Sequence, residues 1–210
     1  MVANLKEDGM APAAIPTVLV IDGHPNASSL CAALADAYAD GARAAGVQVD
    51  LLRVRELAFD PILHDAARGA QLPEPDVVQA RERIEACAHL VVVTPLWWGS
   101  VPALLKGFFD RVLERGWAYR YDARGIPHGL LRGRGALVLM TTDSPGWYLR
   151  LLQGNPTRNQ LVNSTLKFCG IKPVAFDRYG PVFSSTPQKR AGWIAGARGR
   201  GARDAARLLR

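Results

Sequence analysis

Three stretches of the chain, Thr17–Ile21, His89–Thr94 and Ala136–Thr141, are runs of β-branched and aliphatic residues with little polar alternation. A strand covered on both faces reads this way because neither side meets water, so the runs predict central strands of a parallel sheet. Val47–Val54 alternates more and predicts a strand with one wetter face. Pro173–Tyr179 predicts a fifth strand, and its charged Asp177 and Arg178 place it at a sheet edge. Between the runs, apolar residues recur at helical spacing over Ser29–Ala45, Asp76–Ala86, Pro102–Arg115 and Gln160–Phe168. Gly46 and Gly170 stand where a left-handed cap ends a helix, and Pro102 suits a first helical turn.

Strand and helix alternate throughout, which predicts an α/β domain built on a doubly wound, five-stranded parallel sheet. Ligands of such sheets bind at the carboxyl ends of the strands. Residues 1–16 read as a flexible leader, with Pro12 and Pro16 interrupting its apolar part, and residues 17–210 as a single domain. In Pro187–Arg210 the apolar Ala191, Ile194, Ala195, Ala202 and Ala205 alternate with Gly192, Gly196, Gly199 and Gly201. Glycine weakens a helix, so about half of this segment is expected to be disordered.

At 210 residues the chain can bury one sizeable core. Cys31, Cys87 and Cys169 are odd in number and far apart, with neither zinc-site spacing nor disulfide density, so reduced thiols, no metal and a cytoplasmic location are expected. No apolar run approaches the ~20 residues of a membrane helix, so no membrane insertion is expected. The net charge of +7 comes largely from arginine. No nucleic-acid-binding signature accompanies it, and the C-terminal arginines are interleaved with Ala and Gly rather than aromatics, so a solvated face that draws anionic cofactors is expected instead.

Three loops at the expected carboxyl edge carry candidate chemistry. The first, Gly23-His24-Pro25-Asn26-Ala27-Ser28-Ser29, lacks the glycines of a dinucleotide fingerprint and the lysine of a P-loop, yet offers hydroxyls and amides at a helix N-terminus. That is a site for one phosphate, or else Ser28 or Ser29 simply caps the helix. The second, Pro95-Leu96-Trp97-Trp98-Gly99-Ser100-Val101-Pro102, puts two indoles after a buried strand, either as a flat wall for an aromatic ring or as packing. The third, Thr141-Thr142-Asp143-Ser144-Pro145-Gly146-Trp147-Tyr148, combines hydroxyls, backbone donors and an aromatic pair, and a polar turn followed by core aromatics explains Trp147 equally well.

The stretch from Pro95-Leu96-Trp97-Trp98 to Lys106-Gly107-Phe108-Phe109-Asp110-Arg111-Val112 resembles the signature of the NAD(P)H quinone oxidoreductases among the flavodoxin-like flavoproteins. His24-Pro25, Thr141-Thr142, Leu152-Gln153-Gly154 and Phe168-Cys169-Gly170 follow the same family order from about Thr17 to about Trp193. The resemblance implies a flavodoxin-like fold, a flavin cofactor (FMN or FAD), NAD(P)H as co-substrate and a quinone-like acceptor. By matched position, His24, Ser28, Ser29 and Leu30 would hold the flavin phosphate. Pro95, Leu96, Trp97, Trp98 and Gly99 would flank the ring, Thr141, Thr142 and Asp143 would meet its polar edge, and Tyr148 would be the catalytic residue facing substrate. The resembling enzymes build each active site at a subunit interface, which implies a homodimer, and Trp97, Trp98, Trp117 and Tyr119 exceed what one pocket needs. Two departures stand out: Asp143-Ser144-Pro145 where relatives carry Gly-Gly, and Asn155-Pro156 where some quinone reductases carry a histidine.

Two rival functions share the fold. Electron-carrier flavodoxins resemble acidic shuttles, whereas this chain is basic and rich in aromatics. Some relatives are flavin-bearing regulatory partners of potassium efflux systems, and co-purification with a transporter would distinguish that role. Response-regulator and hydrolase readings fail locally, because the third strand ends in Thr94-Pro95 and no GxSxG elbow occurs.

Overall fold

A computed structural model describes residues 15–64 and 71–210; most of the expected leader, residues 1–14, lies outside it. The elements are β1 (Thr17–Asp22), α1 (Leu30–Ala44), β2 (Gln48–Arg53), α2 (Pro75–Ala86), β3 (His89–Pro95), α3 (Ala103–Val112), β4 (Tyr119–Tyr121) and β5 (Pro127–Gly129). There follow β6 (Gly135–Thr141), α4 (Gly146–Leu151), α5 (Pro156–Arg158) continuing as a π-helix over Asn159–Lys167, β7 (Val174–Tyr179) and α6 (Pro187–Leu208).

The main sheet has the order β2-β1-β3-β6-β7 and is parallel throughout, with β7 at an edge as its charges predicted. The unbroken apolar runs have the expected cause. Leu19, Ile21, Leu90, Val92 and Val138 face a core formed with α2, α3 and the π-helix through Ile84, Phe108 and Leu161. Their neighbours Val18, Val20, Val91, Val93, Leu137 and Leu139 face the opposite core, with Leu34 and Tyr38 of α1 and Ala197 and Ala205 of α6. Consecutive residues thus enter different layers, each full burial of such a side chain contributing about 1.5–3 kcal/mol. The chain reverses strand order beside β1, so the loops after β1 and β3 diverge and leave a crevice at their carboxyl ends.

Two expectations need correction. Pro187–Leu208 is one continuous helix of 22 residues, capped by Thr186, whose side chain accepts the Lys189 N–H. The glycines weaken the isolated helix, but two of them let it approach α1. A Cβ at Gly201 would lie 2.1 Å from the Tyr38 carbonyl oxygen, and one at Gly41 would lie 1.9 Å from that of Arg198. Arg198 also pairs with Asp40, and Arg200 with Asp177 and Asp204, so part of the C-terminal charge fastens the helix down. Pro102 is the N-cap of α3 rather than a residue of its first turn, with φ −52° and ψ 146°. Gly46 and Gly170 take the left-handed conformation assigned to them, at φ 98° and 96°.

Candidate active site

The loop after β1 is organised by its own side chains. Buried Asp22 accepts the His24 N–H at 3.1 Å, His24 Nδ1 accepts the Asn26 N–H at 2.9 Å, and Asn26 Oδ1 accepts the Ser28 N–H at 2.8 Å. The second bond fixes the His24 tautomer, leaving the proton on Nε2 as a donor. Burial is the largest influence on His24 and holds its pKa below 6.5; Arg55 pushes the same way against the opposing charge of Asp22. Ser29 is the N-cap of α1, its hydroxyl accepting the Ala32 N–H at 3.1 Å, so that oxygen is committed to the helix. Ser28 is exposed, and Leu30 opens the helix half-buried. The N–H groups of Ser29, Leu30 and Cys31 have no acceptor among the described residues. Three converging amides at a helix N-terminus form a ready anion site.

Beneath this loop lies a pair that sequence reasoning missed. Arg55, in the turn after β2, donates to the Asp22 carboxylate and, at 3.2 Å, to the His24 carbonyl oxygen. The side chains are 11% and 0% exposed. A charged residue closing an apolar strand run was the available signal at Asp22; nothing local marked Arg55.

In the second loop, Trp97 and Ser100 exchange both backbone hydrogen bonds at 2.9 Å, closing a two-residue turn over Trp98 and Gly99. Both have positive φ, 52° and 74°, the signature of a type I′ turn. Gly99 takes this freely, whereas for Trp98 it costs free energy of order 1–3 kcal/mol. The strain coincides with full exposure of the Trp98 side chain. Trp97 meets the His24 ring edge-on at 5.4 Å between centroids, joining the first two loops. Leu96 donates its N–H to the Thr141 carbonyl oxygen at 2.8 Å, joining the second to the third.

In the third loop, the buried Thr141 hydroxyl lies 3.2 Å from Cys31 Sγ, and Thr142 Oγ1 accepts the Ser144 N–H at 3.0 Å. Asp143 turns its carboxylate to the N–H of Phe183, which bonds the loop to the segment before α6. A cleft of about 660 Å³ opens here, lined by Leu96, Trp98, Gly99, Thr142, Asp143, Ser144, Gln153 and Pro156. Five residues expected at the ring or its edge, Leu96, Trp98, Gly99, Thr142 and Asp143, therefore share one cavity. Pro95, the last residue of β3, immediately precedes Leu96 and is outside the lining. Tyr148 lies outside the lining, half-buried, its hydroxyl 3.5 Å from Nε2 of Gln153, which the cleft does include. At Asn155, where a histidine relay was absent, Oδ1 accepts from Arg178 at 2.9 Å. Trp117 is a packing residue, donating its indole N–H to Glu85 under Arg81. Burial pushes the Cys31 thiol up to about 12 and those of Cys87 and Cys169 up to about 11, so none is a ready nucleophile. No described helix is long and apolar enough to cross a membrane.

A family model described as "flavodoxin-like fold" matches residues 16–195. An uncharacterized NAD(P)H oxidoreductase of Haemophilus influenzae is 32% identical over 170 residues, 78% of this chain and 83% of that protein. The chain belongs to the flavodoxin-like NAD(P)H oxidoreductases. The NAD(P)H dehydrogenase [quinone] 1 of Cavia porcellus is 28% identical over 76% of this chain and 66% of its own length. The solved NAD(P)H:quinone oxidoreductase from Methanothermobacter marburgensis superposes with a TM-score of 0.77 at 27% identity, over 90% of this chain and 96% of that one.

Proposed function

We propose that this family member is a flavin-dependent enzyme in which NAD(P)H reduces quinones or similar small aromatic electrophiles by two-electron transfer. The carrying observation is a cleft lined by the second and third loops at the carboxyl edge of the sheet, with the first loop joined to the second through His24 and Trp97 and carrying a helix N-terminus whose three leading amides have no acceptor among the described residues. The residues fit a flavin, FMN or FAD, on two counts. The first loop presents Nε2–H of His24, the exposed Ser28 and the amides of Ser29, Leu30 and Cys31, a donor set suited to a phosphate. The second and third line one cleft through Leu96, Trp98, Gly99, Thr142 and Asp143, a mixture of apolar surface and polar groups suited to a flat heteroaromatic ring.

When bound, the flavin supplies hydride chemistry that the protein lacks. The chain's residues fix the cofactor, exclude water and stack the second substrate. Pro95, Leu96 and Trp97 support the ring, and the Thr141-Thr142-Asp143 backbone meets its polar edge. Trp98 forms the wall against which nicotinamide and acceptor stack in turn, and Tyr148, outside the lining but beside Gln153, offers a proton through its hydroxyl. One aromatic slot imposes ping-pong kinetics, because both flat substrates need the same contact distance.

The test is steady-state NAD(P)H oxidation with quinone acceptors on the flavin-loaded protein. Parallel double-reciprocal lines and a bleached flavin without acceptor are expected, and Tyr148→Phe lowers turnover with flavin content intact. Intersecting lines refute the shared slot; no flavin uptake refutes the whole reading. Mass spectrometry of the released cofactor distinguishes FMN from FAD. The exposed Trp98, Trp147, Leu151, Leu152 and Phe183 fit a homodimer, for which light scattering should report twice the chain mass at micromolar concentration.

A further inference from the structure

Asp143 is the one ionisable side chain among the described residues lining the cleft. We propose that its carboxylate lowers the reduction potential of the bound flavin and so makes the reduced enzyme a stronger reductant. The inference rests on the flavin reading above.

Two observations carry it. The first is fixation: the carboxylate accepts the Phe183 N–H, while on either side of it Ser144 donates to Thr142 Oγ1 at 3.0 Å and Val182 donates to the Thr142 carbonyl oxygen at 3.1 Å. The charge is held at the cleft wall rather than swinging freely in solvent. The second is the company it keeps. The other lining residues are Leu96, Trp98, Gly99, Thr142, Ser144, Gln153 and Pro156, which bring no cation to neutralise it.

Hydride transfer from nicotinamide delivers two electrons and one proton, so the ring gains one negative charge, which it returns with the proton when an acceptor is reduced. A fixed carboxylate opposes that gain and favours the oxidised form. Asp143 is open to water in the free protein, so solvent screens it; a ring filling the cleft removes water from one side and strengthens the repulsion.

The experiment compares flavin-loaded wild type, Asp143→Asn and Asp143→Glu by anaerobic equilibration with reference dyes. Asparagine keeps the volume and an oxygen for the Phe183 N–H while removing the charge; glutamate keeps the charge. The Asn variant should be easier to reduce by roughly tenfold in the equilibrium constant, about 30 mV for a two-electron couple. The gap should narrow as salt screens the carboxylate, and the Glu variant should stay nearer wild type. Equal potentials for wild type and Asn variant at low salt overturn the inference while leaving the cofactor assignment standing. Absence of flavin from wild type overturns both. If the Asn variant fails to fold, Asp143→Ser, neutral and smaller, answers the same question.

Discussion

Arg55→Met tests whether the loop after β1 is held from below. The substitution keeps most of the side chain's apolar reach and removes its charge, leaving the fully buried Asp22 with the His24 N–H as its remaining partner and the His24 carbonyl oxygen without the guanidinium donor. Breaking a buried pair from one side costs about 3–5 kcal/mol, most of it the exposure of an uncompensated charge to a poor solvent. With an unfolding entropy of about 2.1 cal/mol/K per residue, a chain of 210 residues should lose about 7–11 °C in Tm for that cost. The double variant Asp22→Asn/Arg55→Met removes the charge on both sides and should recover more than half of the loss. Thermal and urea unfolding of the two single variants and the double variant complete the cycle. A parallel titration with FMN and riboflavin separates the electrostatic role. If the first loop holds the flavin phosphate as proposed, losing the cation beside it should weaken FMN, which carries the phosphate, more than riboflavin, which does not. An Arg55→Met protein within about 1 kcal/mol of wild type, or a double variant no more stable than the single, refutes the reasoning.

Three further outcomes follow from the same geometry. Gly201→Ala places a Cβ against the Tyr38 carbonyl oxygen and should cost about 3 kcal/mol, whereas Gly196→Ala, with nothing within 4 Å, should stabilise by about 0.4–1 kcal/mol; urea midpoints decide. Ser29→Ala removes the helix cap and should cost about 1 kcal/mol of stability, while His24→Ala should chiefly weaken FMN binding; equal FMN affinity in His24→Ala and wild type would remove histidine from the phosphate site. His89 has a buried Nε2 with no partner among the described residues, and burial holds its pKa below 6.5. As pH falls through 6.5 the unfolded chain takes up the proton first, so stability should fall there, and His89→Leu should flatten that slope; an unchanged slope sinks the assignment.

Legibility followed the range of the interactions. The five strands could be read because burial on both faces leaves a mark at every consecutive position, and β7 could be placed at the edge because Asp177 and Arg178 tolerate solvent there. The helix start after the first loop could be read because its Ser29 cap is local. The histidine tautomer of that loop could not, since that depends on the Asn26 N–H meeting the ring. The last helix was misjudged because propensity counts each glycine as a loss, whereas Gly201 and its partner Gly41 earn close contact between α6 and α1, a gain visible only once both helices are placed. Arg55 escaped for a similar reason, being 33 residues from the carboxylate it meets.

The stretch from Pro95 to Val112, the part of the chain with the strongest family resemblance, divides into two jobs. Its first half builds the cleft: Leu96 is tied to Thr141, and Trp98 and Gly99 form the turn that lines it. Its second half holds a neighbouring segment. A Cβ at Gly107 would lie 2.3 Å from the Pro61 carbonyl oxygen, so only glycine lets α3 approach that chain closely. Buried Arg111 then fixes the same region, donating to the Asp60 carbonyl oxygen at 2.6 Å and meeting the Glu74 carboxylate at 2.7 and 3.1 Å. Among the described residues the Lys106 ammonium hydrogen-bonds only to Asp110, one turn further along α3. A motif that looks like one catalytic signature is therefore a cleft-forming turn followed by a structural clasp. Substitutions in Trp98 should change what the enzyme binds and reduces, whereas those in Gly107 or Arg111 should change whether the fold persists, because a fork of hydrogen bonds and a backbone contact have no substitute from other side chains at those places.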